Sequence, residues 1–191
     1  MLEPATDDPL GPEHHRELEL GRVRMARVRR AAAIATFSGW TLAAFGGLTL
    51  LGVLFGSLSS LLLGGALIGL GVNELGGGRQ LRALDPRGPR RLGFNQLALA
   101  AVAAVYAGWK LVGVATTDPL AGVGSTGDAE MDAMIRGLQT SIGYAVYGSV
   151  LALGTTVPAL TAWYYFRRRK LIDAVLAETP AWVVRTMRSA A

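Results

Sequence analysis

Four long apolar runs constrain the fold of this chain more than any other feature of its sequence. They cover residues 31–55, 58–75, 92–115 and 138–166, and the only charged residues inside them are Glu74 and Lys110. Roughly 20 apolar residues are enough for a helix to cross the hydrocarbon core of a bilayer. The sequence therefore predicts an all-α polytopic membrane protein with four transmembrane helices in a bundle.

Short polar segments connect these spans. Gly56-Ser57 is so short a turn that the first two spans must form an antiparallel hairpin. A basic loop is predicted over residues 76–91, and an acidic loop over 116–137 that includes a short surface helix from about Asp128.

Polar segments also flank the spans at both ends of the chain. Residues 1–12 contain three prolines and three acids and are predicted to be a disordered tail. Residues 13–30 form a basic amphipathic segment, which either lies on an anionic lipid surface or is the charged flank of the first span, the favoured interpretation. The run Arg167–Lys170 is predicted to end the fourth helix. It opens a basic amphipathic tail over 167–191, divided at a Thr179 N-cap and Pro180, with Trp182, Val183 and Met187 in the membrane interface.

The basic residues predict the orientation of the spans. Of 19 Lys and Arg, all but Lys110 and Arg136 lie before the first span, between the second and third, or after the fourth. The positive-inside rule therefore places both termini and the 76–91 loop in the cytoplasm and the 116–137 loop outside. Arginine greatly outnumbers lysine in this Ala-, Gly- and Leu-rich chain, which is typical of GC-rich bacterial genomes. The predicted location is thus a bacterial cytoplasmic (inner) membrane.

Small and polar residues recur at helical spacing and predict which faces pack, because membrane helices associate through such residues. On the second span Gly64 and Gly71 share one face, and Gly65 and Gly69 lie on nearly the opposite face. Two small faces predict close neighbours on two sides. On the first span, a stripe through Phe45 is predicted to pack against the hairpin partner. The fourth span carries Pro158, which is expected to bend it.

Four polar residues at adjoining helix ends form a candidate cluster: Asn73, Glu74, Asn95 and Gln96. Acids inside membranes often mark functional sites, so Glu74 is the leading candidate residue. The favoured interpretation is structural: Glu74 pairs with Arg79, Arg82 or a basic residue of the N-terminal segment, and the four residues form a hydrogen-bonded clamp between the helix ends. The alternative is a cluster that binds a lipid headgroup or a proton.

Other residues are candidates for a polar path or for lipid contacts. Tyr106 and Lys110 share a stripe with Asn95, although snorkelling of Lys110 to the headgroups is favoured over a path. Trp109 and Trp163–Tyr165 are interpreted as an aromatic belt. Candidates for binding anionic lipid headgroups are the arginines and lysine that flank the spans, namely Arg79, Arg82, Arg90, Arg91, Arg167, Arg168, Arg169 and Lys170.

No catalytic or cofactor motif accompanies these features. The chain has no cysteine, and its two adjacent histidines, His14 and His15, lack metal-ligand spacing. The glycines at 76–78 lack the spacing of a phosphate loop. The net charge of +5 would suit nucleic acid, but the arginines flank apolar blocks, so membrane topology explains them better. No cofactor, metal or nucleic acid is therefore expected.

Two hypotheses of function remain. The favoured one is a non-enzymatic accessory or assembly subunit that acts through helix packing and cytoplasmic surfaces, with the bilayer, other membrane proteins or further copies of itself as partners. The alternative is a small oligomeric transporter or channel that uses Glu74, Asn95, Tyr106 and Lys110. A membrane enzyme acting on lipid has the least support.

Overall fold

The computed structural model describes residues 11–122 and 124–189, and over these ranges it is helical without any strand. Five α-helices are present, of which the first four are long and apolar enough to cross a membrane. Their bounds are α1 Pro12–Leu50, α2 Leu58–Arg82, α3 Gly88–Thr116, α4 Ala129–Glu178 and α5 Ala181–Ser189, with 3-10 turns at Leu51–Phe55 and Pro119–Gly122. The prediction of an all-helical chain with four long apolar helices is confirmed.

The helices are longer than the apolar runs that revealed them. Helix α1 starts at Pro12, so the basic segment 13–30 is continuous with the first span, and of the expected tail 1–12 only residues 1–10 lie outside the described residues. Helix α4 continues through Arg167–Lys170 to Glu178, so the predicted stop there is wrong. Arginine and lysine are good helix formers, and a charge run ends a membrane crossing rather than a helix.

The connections are correspondingly shorter than predicted. The expected loop 76–91 is helical at both ends, leaving residues 83–87 between α2 and α3. The expected loop 116–137 reduces to residues 117–128, because Asp128 caps the N-terminus of α4 by accepting the Glu130 N–H at 2.9 Å. The surface helix expected from Asp128 is therefore the first part of α4. Hereafter the end containing residues 83–87 is the basic end, and that containing residues 51–57 and 117–128 is the acidic end.

Helices α1 and α2 form a hairpin built on glycine contacts. Gly56 turns the chain with φ of 75°. A Cβ on Gly46 would lie 2.8 Å from the Gly64 carbonyl oxygen, and one on Gly39 would lie 2.9 Å from that of Gly71. These pairs, seven residues apart on each helix, hold the two backbones in contact. The predicted face of α2 through Gly64 and Gly71 thus packs as expected.

The stripe predicted on α1 packs only in part: its last member, Gly52, contacts the Ser60 side chain of α2, but its centre does not face the partner helix. Phe45 is 61% exposed, and Thr41 and Thr49 donate their hydroxyls to carbonyls one turn back on α1. The packed face runs instead through Gly39 and Gly46, because only glycine permits so close an approach to α2.

Helices α3 and α4 form the second hairpin. A Cβ on Gly154 would lie 2.8 Å from the Ala103 Cβ, and one on Gly143 would lie 2.7 Å from Val114 Cγ2. Near the basic end Gly93 contacts the Phe166 ring in the same way. Pro158 is buried, and the α4 assignment is continuous through it.

Within the described residues, the two hairpins share a buried core at the basic end. Its members come from all five helices and include Ala32, Leu81, Leu92, Tyr165 and Val183. Toward the acidic end, an apolar cleft of about 820 Å³ lies between α2 and α3. The packed four-helix bundle predicted from sequence is thus found at the basic end, whereas α2 and α3 are separated by the cleft at the acidic end. Leucines and valines line both sides there, and hydrocarbon provides no net drive to bring such surfaces together.

Beyond the polar cluster, the basic end carries a small packed unit of α1, α4 and α5. A Cβ on Gly21 would lie 2.7 Å from Val183 Cγ1, so α5 lies directly against α1. Trp182 Nε1 donates to Glu17 Oε2 at 3.0 Å. Val183 and Met187 are buried in this unit, so the prediction that their side chains lie in the membrane interface is wrong. Thr179 does not cap α5 through its hydroxyl, which has no hydrogen-bond partner.

Candidate functional site

Helices α2 and α3 bring the four predicted cluster residues together at the basic end. Asn73 and Glu74 lie near the end of α2, and Asn95 and Gln96 lie near the start of α3. Because the two helices are antiparallel and joined by only five residues, these positions are neighbours. Glu74 has no exposed surface, and Asn95 and Gln96 are buried.

Three donors point at the Glu74 carboxylate. Asn95 Nδ2 donates to Oε2 at 2.5 Å, Gln96 Nε2 donates to Oε1 at 2.9 Å, and the Tyr165 hydroxyl lies 3.5 Å from Oε1. A buried charge is tolerated only where hydrogen bonds replace water. The carboxylate therefore joins α2, α3 and α4 through one group.

The expected pairing of Glu74 with arginine is wrong. Arg79 lies five residues further along α2, about 140° around the helix from Glu74. Arg82 donates from Nη2 to the Thr36 hydroxyl on α1 at 2.9 Å. Arg24 instead pairs with Glu178, and Arg136 pairs with Asp118.

A hydrogen-bond chain connects the buried carboxylate to an exposed arginine. Arg91 Nε donates to Asn73 Oδ1 at 2.7 Å, and Asn73 Nδ2 donates to Asn95 Oδ1 at 2.7 Å. Asn95 also donates to the Leu70 carbonyl oxygen at 3.0 Å. Gly76 leaves room for Arg91, since a Cβ there would lie 2.8 Å from its Nη2. The orientation of Arg91 is thus fixed from inside the protein.

Chemically, this cluster is equipped to clamp helices. Its carboxylate oxygens are occupied by the side chains of its neighbours, and no surface of Glu74 is open to solvent. Among the described residues, no group of three or more His, Asp or Glu side chains is placed to hold a metal ion.

Tyr106 and Lys110 lie away from the cluster. Tyr106 is 11 residues beyond Asn95, about 16 Å along α3. Lys110 Nζ lies 5.2 Å from the Trp109 ring centroid and 5.9 Å from that of Tyr106, whose ring packs edge-on against Tyr147. The structure thus brings Tyr106 and Lys110 together at the acidic end but does not join them to Asn95 or Glu74.

Two acids at the acidic end, Asp118 in the 117–128 connection and Asp132 in the first turn of α4, accept hydrogen bonds from nearby residues. Asp132 accepts from the Thr126 backbone N–H at 2.9 Å and from the Thr126 hydroxyl at 2.7 Å. Asp118 accepts from the Leu120 N–H at 3.1 Å and faces Arg136 Nε at 3.2 Å. The Leu120 hydrogen bond, helped by Arg136, holds the pKa of the Asp118 carboxyl below its usual range.

The candidate headgroup residues divide into separate groups. Arg90, Arg91 and Arg169 line one pocket of about 380 Å³ together with Pro86, Arg87 and Phe94. Arg167 lies 3.8 Å from the Trp163 ring centroid, and Arg168 lies 4.4 Å from that of Tyr164. Arg79 and Lys170 are exposed, and Arg82 is engaged with α1.

Two groups of residues at this end were missed from sequence. Tyr165 was assigned to the aromatic belt but is fully buried beside Glu74. Its spacing from Pro158 and Ala162, both buried, was a signal that it faces inward. Arg87 and Phe94 were not proposed because their place in a pocket depends on how α3 meets α4.

Searches against protein-family models, curated proteins and solved structures found no match to this chain.

Proposed function

We propose that this chain is a non-enzymatic integral protein of a bacterial cytoplasmic membrane, and that it acts as an accessory or assembly subunit by receiving a transmembrane helix of a partner protein. The observation that carries the proposal is the apolar cleft between α2 and α3 at the acidic end. The basic end holds the hairpins together, which leaves the cleft free for association.

The cleft has the character of a helix-binding groove in a membrane. Its walls are apolar side chains of two helices, with serines at the acidic-end margin; they include Leu62, Ala66, Val102, Val105 and Trp109. Trp109 is 59% exposed. Large exposed apolar surfaces of this kind mark interaction sites in water, and in lipid they contact either acyl chains or another helix.

Open glycines beside the cleft favour a helix over acyl chains. A Cβ on Gly65 or Gly69 would meet nothing within 4 Å, whereas one on Gly64 or Gly71 would strike α1. Acyl chains gain nothing special from glycine, but a neighbouring helix uses a Gly-x-x-x-Gly face to approach closely. The close neighbour predicted for this second face of α2 is absent at Gly65 and Gly69 among the described residues, so both glycines are available to a partner.

A helix from a partner protein fits this position better than one from a second copy. Helices α1 and α2 are already paired through glycine contacts, and so are α3 and α4. A helix contributed by a second copy would therefore bring its hairpin partner with it. A single unpaired transmembrane helix of a partner protein would bring no second helix into the cleft.

Cysteine crosslinking in native membranes tests this occupant, since the chain contains no cysteine. Ala66→Cys and Val105→Cys place reactive groups on the two walls of the cleft. Leu153→Cys, on the exposed face of α4, is the matched control. Capture of one and the same membrane protein from both cleft positions, and not from Leu153, is the expected result.

Other outcomes of the crosslinking would refute the proposal. A homodimer captured from both walls would make a second copy the occupant. Absence of any product from the cleft positions, or equal products from Leu153→Cys, would leave the cleft filled by lipid.

The proposed orientation has the basic end in the cytoplasm. Its support is the distribution of arginines, which also fits the anionic lipids of the cytoplasmic leaflet. Thr117→Cys and Ala83→Cys are exposed positions at opposite ends of the molecule. In intact cells, a membrane-impermeant maleimide should label Thr117→Cys and not Ala83→Cys; the reverse pattern would overturn the orientation.

The geometry gives less support to a transporter or channel. Its proposed residues separate into the closed Glu74 cluster and the Tyr106–Lys110 pair about 16 Å away. Leucine and valine side chains lie on the intervening stripe of α3. Liposome flux that is abolished by both Glu74→Gln and Lys110→Met would nevertheless favour this alternative.

A further inference from the structure

The pocket at the start of α3 has a composition that neither the helix clamp nor the cleft explains. Four arginines line a cavity of about 380 Å³, namely Arg87, Arg90, Arg91 and Arg169. An adjoining cavity of about 260 Å³ is lined by Arg90, Phe94, Phe166 and Arg169.

The arginines of this pocket have no ion-pair partner among the described residues. Arg91 is held through its Nε by Asn73, and Arg90 lies 5.6 Å from the Phe94 ring centroid. The neighbouring acid, Asp85, is engaged by the Arg87 backbone N–H at 2.9 Å and removes only part of the excess positive charge. The N-terminal end of the α3 dipole adds to the same potential.

On both α3 and α4, the residues that line this pocket change from arginine at its rim to phenylalanine deeper in the molecule. On α3, Phe94 follows Arg90 by one helical turn, about 6 Å deeper toward the apolar part of the molecule. On α4, which runs in the opposite direction, Phe166 precedes Arg169 by three residues. The Phe94 and Phe166 rings pack edge-on with centroids 5.6 Å apart. Guanidinium groups therefore lie above an aromatic floor.

Gly93 makes this arrangement possible. A Cβ at that position would lie 2.5 Å from Phe166 Cε1. Because glycine lets the Phe166 ring rest on the α3 backbone, Arg169 is brought to the same pocket as Arg90. Gly93 is thus a positioning residue for the pocket.

We propose that this pocket binds one anionic phospholipid, with the headgroup phosphate between Arg87, Arg90, Arg91 and Arg169 and the glycerol and upper acyl chain against Phe94 and Phe166. One planar guanidinium group can donate two parallel hydrogen bonds to two oxygens of a phosphate, whereas the ammonium group of a lysine acts as a point charge. A soluble phosphate would use the arginines alone, whereas a lipid also uses the aromatic floor. The inference requires that the chain lies in a bilayer, but not that a partner occupies the cleft.

Competition between two lipids with identical acyl chains tests the proposal. The purified full-length protein in detergent is mixed with equal amounts of phosphatidylglycerol and phosphatidylcholine, and bound lipid is counted by native mass spectrometry. The wild-type protein should retain phosphatidylglycerol in preference. Equal retention of both lipids would overturn the proposal, because the pocket would then not distinguish an anionic headgroup from a zwitterionic one.

Two double variants separate this pocket from general surface charge. Arg90→Gln with Arg169→Gln removes two pocket arginines and should lower the preference about tenfold or more. Arg167→Gln with Arg168→Gln removes the same charge from the same end, outside the pocket, and should keep the wild-type preference. An equal loss in both variants, or no loss in the first, would overturn the proposal.

Folding and free phosphate are controlled in the same experiment. Both variants should elute from size exclusion as the wild type does; if the first does not, Arg169→Gln alone carries the test, since its exposed side chain makes no hydrogen bond in the described structure. Inorganic phosphate or glycerol phosphate, each added at the same concentration as the phosphatidylglycerol, should not displace the bound lipid. Displacement by either would assign the pocket to a soluble phosphate and overturn the lipid proposal.

Discussion

At the scale of single residues, Glu74 is the acceptor around which the basic end is assembled. Its two carboxylate oxygens receive side-chain donors from α3 and α4, and the residue itself belongs to α2. Removing a donor leaves a buried oxygen without a partner, which costs more than the hydrogen bond itself contributed. The stability of this end therefore depends on amide side chains that are otherwise unremarkable in sequence.

We expect Asn95→Ala to lower the free energy of unfolding by about 2–4 kcal/mol, because it leaves both Glu74 Oε2 and Asn73 Nδ2 without their present partner. Ser149→Ala is the matched control, since that exposed hydroxyl bonds only a carbonyl of its own helix. Titration with a denaturing detergent, in which helix content is monitored by circular dichroism, measures the free energy of unfolding of both variants. Equal effects of the two variants would contradict a clamp at Glu74.

Asn73 provides a second residue-scale prediction. Asn73→Ala removes the acceptor that holds Arg91 Nε, so Arg91 becomes free to leave the pocket. The preference for phosphatidylglycerol should fall, while Ser149→Ala, which removes only a hydroxyl bonded to its own helix, should keep the wild-type preference. If Asn73→Ala also keeps the wild-type preference, lipid binding does not depend on this contact.

At the scale of elements, neighbouring glycines of α2 have opposite surroundings. Gly64 lies against the α1 backbone, and Gly65 faces open space. Gly64→Ala should destabilise the hairpin by about 1–3 kcal/mol through overpacking. Gly65→Ala should leave the free energy of unfolding unchanged or slightly raised, since alanine is the better helix former. Detergent unfolding of the two variants side by side tests this contrast.

The docking of α5 on α1 is a separate element-scale prediction. Gly21→Leu would drive a side chain into Val183, so α5 should detach and its arginines, Arg185 and Arg188, should become sites of rapid trypsin cleavage. Gly47→Leu adds the same side chain to α1 where nothing lies within 4 Å, and it should leave cleavage unchanged. Equal cleavage of both variants would show that Gly21 does not position α5.

The sequence was sufficient for the helices and for part of their packing. Long apolar runs located α1 to α4, and helical spacing placed Gly64 and Gly71 on one packed face of α2. It was not sufficient for the ends of the helices, because Arg167–Lys170 marks where apolar sequence stops and not where backbone hydrogen bonds stop. It also missed Tyr165 and Arg87, whose partners lie on other helices and are fixed only by tertiary packing.

At the scale of the whole molecule, the two ends differ in how they are held together. The basic end combines a core drawn from all five helices with the Glu74 cluster. The acidic end has hairpins that face each other across a cleft of about 820 Å³. The molecule is therefore closely packed at one end and has exposed apolar surface at the other.

We propose that a partner helix occupies this cleft and packs against the face of α2 that contains Gly65 and Gly69. The most direct measurement is the mass of the complex extracted from native membranes in polymer-bounded discs, without detergent, for wild type, Gly65→Leu and Gly47→Leu. Wild type and Gly47→Leu should contain the same additional membrane protein, while Gly65→Leu should yield the 20.1 kDa chain without it. Retention of that partner by Gly65→Leu, or its absence from the wild-type complex, would contradict the account.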